Sequence, residues 1–94
     1  MLDITEIGKG LYDRLGATVQ AAYIYGSVAR GCCTAGDLDL LLVLASKDQV
    51  PVFTALAKVQ VSTSLLIHPT VVSPRELQTN PLFRTLVESS IILW

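Results

Sequence analysis

Residues 21–44 read AAYIYGSVARGCCTAGDLDLLLVL, and this stretch decides the fold that the sequence predicts. It contains a short apolar strand, a turn at Gly26 and Ser27, a loop of small residues, and a second apolar strand that opens with two aspartates. Side chains alternate between the faces of a strand, so Asp37 and Asp39 direct both carboxylates to one face, about 7 Å apart. Carboxylates suit a hard divalent cation, and a glycine turn leading into a helix start favours phosphate. The pattern predicts a site for a nucleotide and a metal ion.

The spacing of these motifs resembles that of a known superfamily. Gly26 and Ser27 are followed by nine residues and then by Asp37-Leu38-Asp39. This arrangement resembles the nucleotidyltransferases typified by DNA polymerase β, and the fuller forms GSVARG and GDLDL are most similar to the minimal, MNT-type branch. The resemblance implies an α/β (α+β) fold, in which helices pack on a small mixed sheet of three to four strands. It also implies that residues 1–94 form one such domain.

The resemblance carries expectations about chemistry and partners. It implies metal-dependent transfer of a nucleoside monophosphate from ATP or another nucleoside triphosphate to a hydroxyl acceptor on a protein, a nucleic-acid end or a small alcohol. Gly26 and Ser27 would hold phosphates, and Asp37 and Asp39 would hold Mg²⁺ and serve as catalytic residues. Such minimal domains often act beside a helical HEPN-type partner as the antitoxin of a toxin–antitoxin pair, where the acceptor can be a tyrosine of the partner.

The pattern lacks the third carboxylate that active members usually carry on a later strand. Residues 61–72, the predicted third strand, contain no Asp or Glu. From its position before the Ser73-Pro74 helix start, His68 is the best candidate for this place, because an imidazole can accept a proton near neutral pH. It is a poorer ligand for magnesium than a carboxylate. Two alternatives stay open: His68 is an ordinary strand-end residue, and the chain is a degenerate module that binds a nucleotide or only a partner.

Other site residues also have two interpretations. Arg30 could contact a phosphate, or it could hold the loop through an ion pair with Asp37 or through carbonyl groups. Without a ligand, Asp37 would cap the turn and Asp39 would be an exposed residue at the start of a strand. A sheet-based structural domain with a fortuitous motif is a further alternative.

The amino-acid composition indicates which classes of partner and which cellular location to expect. Apolar residues make up 51% of the 94 residues and charged residues only 16%, which predicts an apolar surface for a protein partner or self-association, with a large core as the alternative. The net charge is −1 and no Lys/Arg cluster exists, so bulk nucleic-acid binding is not expected. Apolar runs are too short to span a membrane and the N-terminus does not resemble a signal peptide, which predicts a cytoplasmic protein. The adjacent Cys32 and Cys33 are expected to be small loop residues, because neighbouring cysteines rarely form a disulfide.

The rest of the chain predicts alternating helices and strands. Helix 46–60 is expected to begin at Ser46 and to bury Val50, Phe53, Leu56 and Val59. Strand 90–94 is expected to pair with another chain. The remaining predicted elements are helix 3–15, strands 18–25, 38–45 and 61–72, a helix from Pro74 and another after Pro81.

Overall fold

A computed structural model describes residues 4–26, 37–45, 49–63 and 66–94. These residues form four helices and four strands, and the helices lie in layers on either side of the sheet. In chain order the elements are α1 (Ile4–Leu15), β1 (Ala21–Tyr25), β2 (Asp37–Val43), α2 (Val50–Thr63), β3 (Leu66–Val72), α3 (Pro74–Thr79), α4 (Pro81–Glu88) and β4 (Ile91–Ile92).

The four strands form one mixed sheet in the order β3-β2-β1-β4. Strand β1 is antiparallel to both of its neighbours, β2 and β4, whereas β2 and β3 run parallel. Parallel neighbours need a crossover connection, and α2 provides it. The predicted small mixed sheet with packed helices is therefore confirmed.

The sheet is covered by helices on both faces. On one face the even-numbered residues of β2 pack with α1 and α2, and on the other face its odd-numbered residues Leu41 and Val43 pack with α3 and α4. Because both faces are covered, the last four residues of β2, from Leu40 to Val43, are buried, and so is Leu44, which follows the strand. The apolar run in the sequence predicts this two-sided burial correctly.

The structure corrects the predicted bounds and faces of α2. The helix continues through Val61, which the sequence assigned to a strand because β-branched residues favour strands. Of the four residues expected to be buried, Leu56 and Val59 are buried, but Val50 and Phe53 are exposed. The reason is geometrical, since four positions spaced by three residues sweep roughly half the circumference of a helix. The predicted N-cap, Ser46, lies outside the described residues.

The two edges of the sheet are formed by β3 and β4. Strand β3 is one edge of the sheet and contains Pro69, whose missing N–H predicts either an edge or a bulge, and the structure places it at an edge. The other edge is β4, which pairs with β1 of the same chain through Tyr23–Ile92 and Ile24–Ile91. The expectation that the last strand pairs with another chain stays a prediction, because β4 is an edge strand that pairs on one side only among the described strands.

The shorter helices begin where their capping residues predict. Ser73 accepts a hydrogen bond from the Glu76 amide, and the Glu76 carboxylate accepts one from the Ser73 amide, forming a capping box at the start of α3. Asn80 caps α4 in a similar way through Leu82. None of the described helices is both long and apolar enough to cross a membrane.

Candidate functional site

The two aspartates of the motif lie on one face at the beginning of β2. Leu38, between them, points to the opposite face and is fully buried in the core with α1 and α2. Asp37 is exposed and Asp39 is half-buried, on the same face as Leu41. Both carboxylates therefore point away from the larger core and remain accessible, as the alternation of the strand predicts.

The turn after β1 lies directly against the second aspartate. Gly26 has a φ of 78°, in the left-handed region that favours glycine. A Cβ added to Gly26 would overlap Oδ2 of Asp39 and would lie 3.3 Å from its Cγ. The close approach arises because Tyr25, the residue before the turn, is the cross-strand partner of Asp39. Glycine is thus required here both by backbone conformation and by the neighbouring carboxylate.

His68 lies on the same face, on the other side of β2. It is the register partner of Asp39 in the parallel ladder between β2 and β3. Its Nε2 is 4.0 Å from Oδ1 of Asp37, and the side chains of His68 and Asp37 are 52% and 63% exposed. The structure thus brings Gly26, both aspartates and His68 together at one end of the sheet.

Two polar residues of this face were missed from the sequence. Tyr25 and Thr70 lie on strands β1 and β3, which flank β2, and the Tyr25 hydroxyl is 3.2 Å from Oγ1 of Thr70. The tyrosine side chain therefore reaches across β2 and packs against the cluster that contains Leu41. Its position separates the apolar part of this face from the part that carries Asp39. The hairpin register, in which Tyr25 pairs with Asp39, is the signal that could have identified it.

Several predicted site residues lie outside the described residues. These are Ser27 and Arg30, and the loop residues Cys32 and Cys33 also lie outside the described ranges. Their predicted roles stay predictions.

The donor set at the site suits a magnesium ion that is shared with a ligand. Asp37 and Asp39 offer hard carboxylate oxygens, and no residue of the described ranges donates a hydrogen bond to the Asp39 carboxylate. Within those ranges, no group of three or more His, Cys, Asp or Glu side chains could hold a metal ion by itself. Magnesium is usually held by one or two carboxylates together with water and substrate phosphates. The two aspartates fit that arrangement, whereas a cage made only of protein groups is not found among the described side chains.

Comparison with solved structures identifies the fold. A toxin–antitoxin complex crystallised with AMP-PNP contains a chain with a TM-score of 0.67 and 21% identity, and the match covers 99% of this chain and 73% of that chain. The chain has the fold of an MNT-type nucleotidyltransferase. The resemblance predicted from the Gly-Ser and Asp-x-Asp motifs is thereby confirmed at the level of the fold.

Two further structures with the MNT fold match over similar lengths. A toxin–antitoxin MntA–HpeT mutant with two aspartates replaced by glutamate gives a TM-score of 0.66 and 18% identity, covering 99% of this chain and 73% of that one. A complex of a tri-AMPylated HEPN toxin with an MNT antitoxin from Shewanella oneidensis gives 0.62 and 15%, covering 98% and 72%. No protein-family model and no curated protein matches the chain. At these identities the likeness to MNT structures shows the fold alone.

Proposed function

We propose that this chain is a nucleotidyltransferase of the MNT type that transfers a nucleoside monophosphate from ATP to a hydroxyl group of a HEPN-type toxin, and so acts as the antitoxin. The observation that carries the proposal is the convergence of Gly26, Asp37 and Asp39 on one face of an MNT-type fold. We keep with it the predictions that residues 1–94 form one domain and that the protein is cytoplasmic.

The nucleotide part of the proposal is supported by the accessible acidic pair beside a left-handed glycine. The carboxylates of Asp37 and Asp39 would hold Mg²⁺, which supplies positive charge to the triphosphate and to the transferring phosphorus. The missing side chain of Gly26 accommodates the Asp39 carboxylate, and Gly26 and Ser27 would hold the phosphates beside it through hydrogen bonds. One solved neighbour was crystallised with AMP-PNP, which fits a triphosphate ligand.

The transfer step follows from the charges at this site. The acceptor oxygen forms a bond to the α-phosphorus of ATP, the bond from that phosphorus to the bridging oxygen breaks, and pyrophosphate leaves with its electron pair. The acceptor hydroxyl must lose its proton during this exchange. His68 is the side chain we assign to that proton, because it is half-exposed and its Nε2 lies 4.0 Å from Asp37 Oδ1.

The acceptor and partner are inferred from the neighbours. One of them is described as a tri-AMPylated HEPN toxin in complex with an MNT antitoxin. The reaction that the acidic pair of this chain would carry out is the transfer of a nucleotidyl group to a hydroxyl of such a toxin.

The experiment is a transfer assay with the purified chain, Mg²⁺, α-labelled ATP and a HEPN-type protein. We expect label on the HEPN protein and release of pyrophosphate, both lost in Asp39→Asn, which has nearly the same shape as the parent but no charge. A matched control is Asp13→Asn, because Asp13 is exposed on α1 in the opposite layer. Equal labelling by the Asp39→Asn and Asp13→Asn variants would contradict the proposal.

A second candidate function has its own supporting observation. The third carboxylate typical of active members is absent from β3, and no described group of three ligands could hold a metal ion alone. This favours a binding module that holds a nucleotide or a partner without turnover. In that case no label is transferred, and the complex with the HEPN protein forms equally well with Asp37→Asn and Asp39→Asn.

A further inference from the structure

Helix α2 is apolar on two opposite faces. Its inner face is buried in the core and consists of Val52, Ala55, Leu56 and Val59. Its outer face, on the far side of the helix, consists of Val50, Phe53, Thr54, Ala57 and Val61, all of them exposed. A helix at the surface of a globular protein normally carries charged or polar residues opposite its buried face. The outer face of α2 does not follow this rule.

The outer face is long and lacks polar groups that need water. Val50 at one end is 72% exposed and Val61 at the other is 85% exposed, about 16 Å further along the helix. The Thr54 hydroxyl donates a hydrogen bond to the Val50 carbonyl at 2.9 Å, so its polar group is already satisfied within the helix. Three turns of helix therefore offer an apolar strip without a charged residue.

A cationic groove runs along one flank of this strip. It has a volume of about 370 Å³ and lies between α1 and α2, where it is lined by Arg14, Val50, Pro51, Thr54, Ala55 and Lys58. Among the described residues, no acidic side chain lines it, and neither Arg14 nor Lys58 forms an ion pair with another of them. The first turn of α2 adds the partial positive charge of a helix N-terminus. Since the whole chain has a net charge of −1, this flank is a local concentration of positive charge.

We propose that the outer face of α2 binds an amphipathic helix of a partner protein that carries acidic residues along one flank. The apolar side of that helix would cover Val50, Phe53 and Val61, and its acidic flank would meet Arg14 and Lys58. A helix fits better than an isolated small anion, because most of the exposed area is apolar and extends over three turns.

Charge complementarity argues against a second copy of this chain as the occupant. If two copies paired through their outer faces with the helices antiparallel, the two-fold axis would bring the cationic flanks to the same side of the pair. Arg14 and Lys58 of both copies would then repel one another. A partner with acidic groups on that flank has the opposite sign and matches the groove.

The inference goes beyond the proposed function and does not depend on it. The outer face belongs to the layer of α1 and α2, whereas Asp37 and Asp39 lie on the opposite face of the sheet. A helix bound to α2 would leave the nucleotide site accessible. Loss of transfer in the assay above would therefore leave the docking proposal intact, and loss of docking would leave the acidic pair intact.

The test uses synthetic helical peptides as probes. One peptide of about 18 residues has leucines along one side and glutamates along one flank, and the other has lysines in place of the glutamates. We expect the glutamate peptide to bind the full chain with a dissociation constant at least about tenfold lower than that of the lysine peptide. The double variant Arg14→Glu with Lys58→Glu should reverse this preference. Val61→Asp should weaken both peptides.

A matched charge reversal controls for the net charge of the chain. Arg75 and Arg84 are exposed cations on α3 and α4, in the other layer, so Arg75→Glu with Arg84→Glu should leave the preference unchanged. Amide chemical shifts in the labelled chain should change along α2 and in the last turn of α1. The proposal is overturned if the preference survives Arg14→Glu with Lys58→Glu, if the shifts map to α3 and α4, or if Val61→Asp only converts a dimer of this chain into a monomer.

Discussion

Gly26 and Asp39 are in direct contact, and the contact leaves no room for a side chain at position 26. The carboxylate of Asp39 occupies the space that a Cβ of residue 26 would fill, and the φ of 78° at Gly26 is one that L-residues rarely adopt. The turn that the sequence assigns to phosphate and the carboxylate that it assigns to metal are thus adjoining parts of one surface.

The substitution Gly26→Ala should therefore affect both stability and the site. We expect it to lower the free energy of unfolding by about 1–3 kcal/mol, from backbone strain and from displacement of the Asp39 carboxylate. Urea denaturation measures the effect. The control is Gly10→Ala, because Gly10 lies within α1 and an added Cβ there meets no other atom within 4 Å. This control should be neutral or stabilising by up to about 1 kcal/mol, and a similar loss in both variants would contradict the prediction.

The hydrogen bond between Tyr25 and Thr70 should couple the two flanking strands. Its partly buried oxygens are 3.2 Å apart, so a double-mutant cycle with Tyr25→Phe and Thr70→Val should give a coupling energy of about 0.5–1.5 kcal/mol. The control is Tyr23→Phe. Tyr23 lies on the same face of the sheet as Tyr25, but its hydroxyl makes no hydrogen bond to a described residue. Additive effects of Tyr25→Phe and Thr70→Val would show that the bond does not contribute to stability.

Replacing His68 by aspartate should restore the acid that the motif lacks. If His68 occupies the third position, His68→Asp should raise the Mg²⁺-dependent affinity for AMP-PNP by about tenfold, which is a usual effect of residues that support a metal site. Without Mg²⁺ the variant should be less stable than the parent, because the new carboxylate would face that of Asp37. Calorimetric titration with and without the metal distinguishes these effects. His68→Asn, in which the new side chain has the size of aspartate but no charge, should not gain affinity. A weaker affinity in His68→Asp would show that residue 68 does not face the metal site.

Burial should decide the cost of removing a leucine. Leu40 on β2 is fully buried, so Leu40→Ala should lower the free energy of unfolding by about 2–5 kcal/mol through lost contacts and the cavity that remains. Leu82 on α4 is 63% exposed, and Leu82→Ala should change stability by no more than about 0.5 kcal/mol. Thermal or urea denaturation of both variants checks the contrast, and equal losses would place the two leucines in equivalent environments.

The sequence predicts the sheet and most of the site because these depend on short-range rules. Alternation along a strand puts Asp37 and Asp39 on one face, and the glycine at position 26 marks the end of β1. The run from Leu40 predicts a strand that is covered on both sides, and the strand next to it, β3, carries His68.

Features that depend on tertiary packing were harder to predict. Val61 favours a strand by its propensity, yet it lies in the last turn of α2. The helix is anchored by its buried residues and continues beyond the last of them, Val59. Counting apolar residues at intervals of three put Val50 and Phe53 in the core, although the helix turns them outward. The link from Tyr25 to Thr70 spans 45 positions of the sequence, and it depends on the order of three strands.

Pro69 has a consequence for the way in which this protein can aggregate. An exposed strand edge is a template on which other chains can add as further strands, and this is how fibrils grow. Strand β3 interrupts that template with a residue that cannot donate a backbone hydrogen bond, and the opposite edge, β4, is only two residues long. Both edges of the sheet are thus poorly suited to strand-by-strand growth, and five of the seven exposed large apolar side chains among the described residues lie on helices.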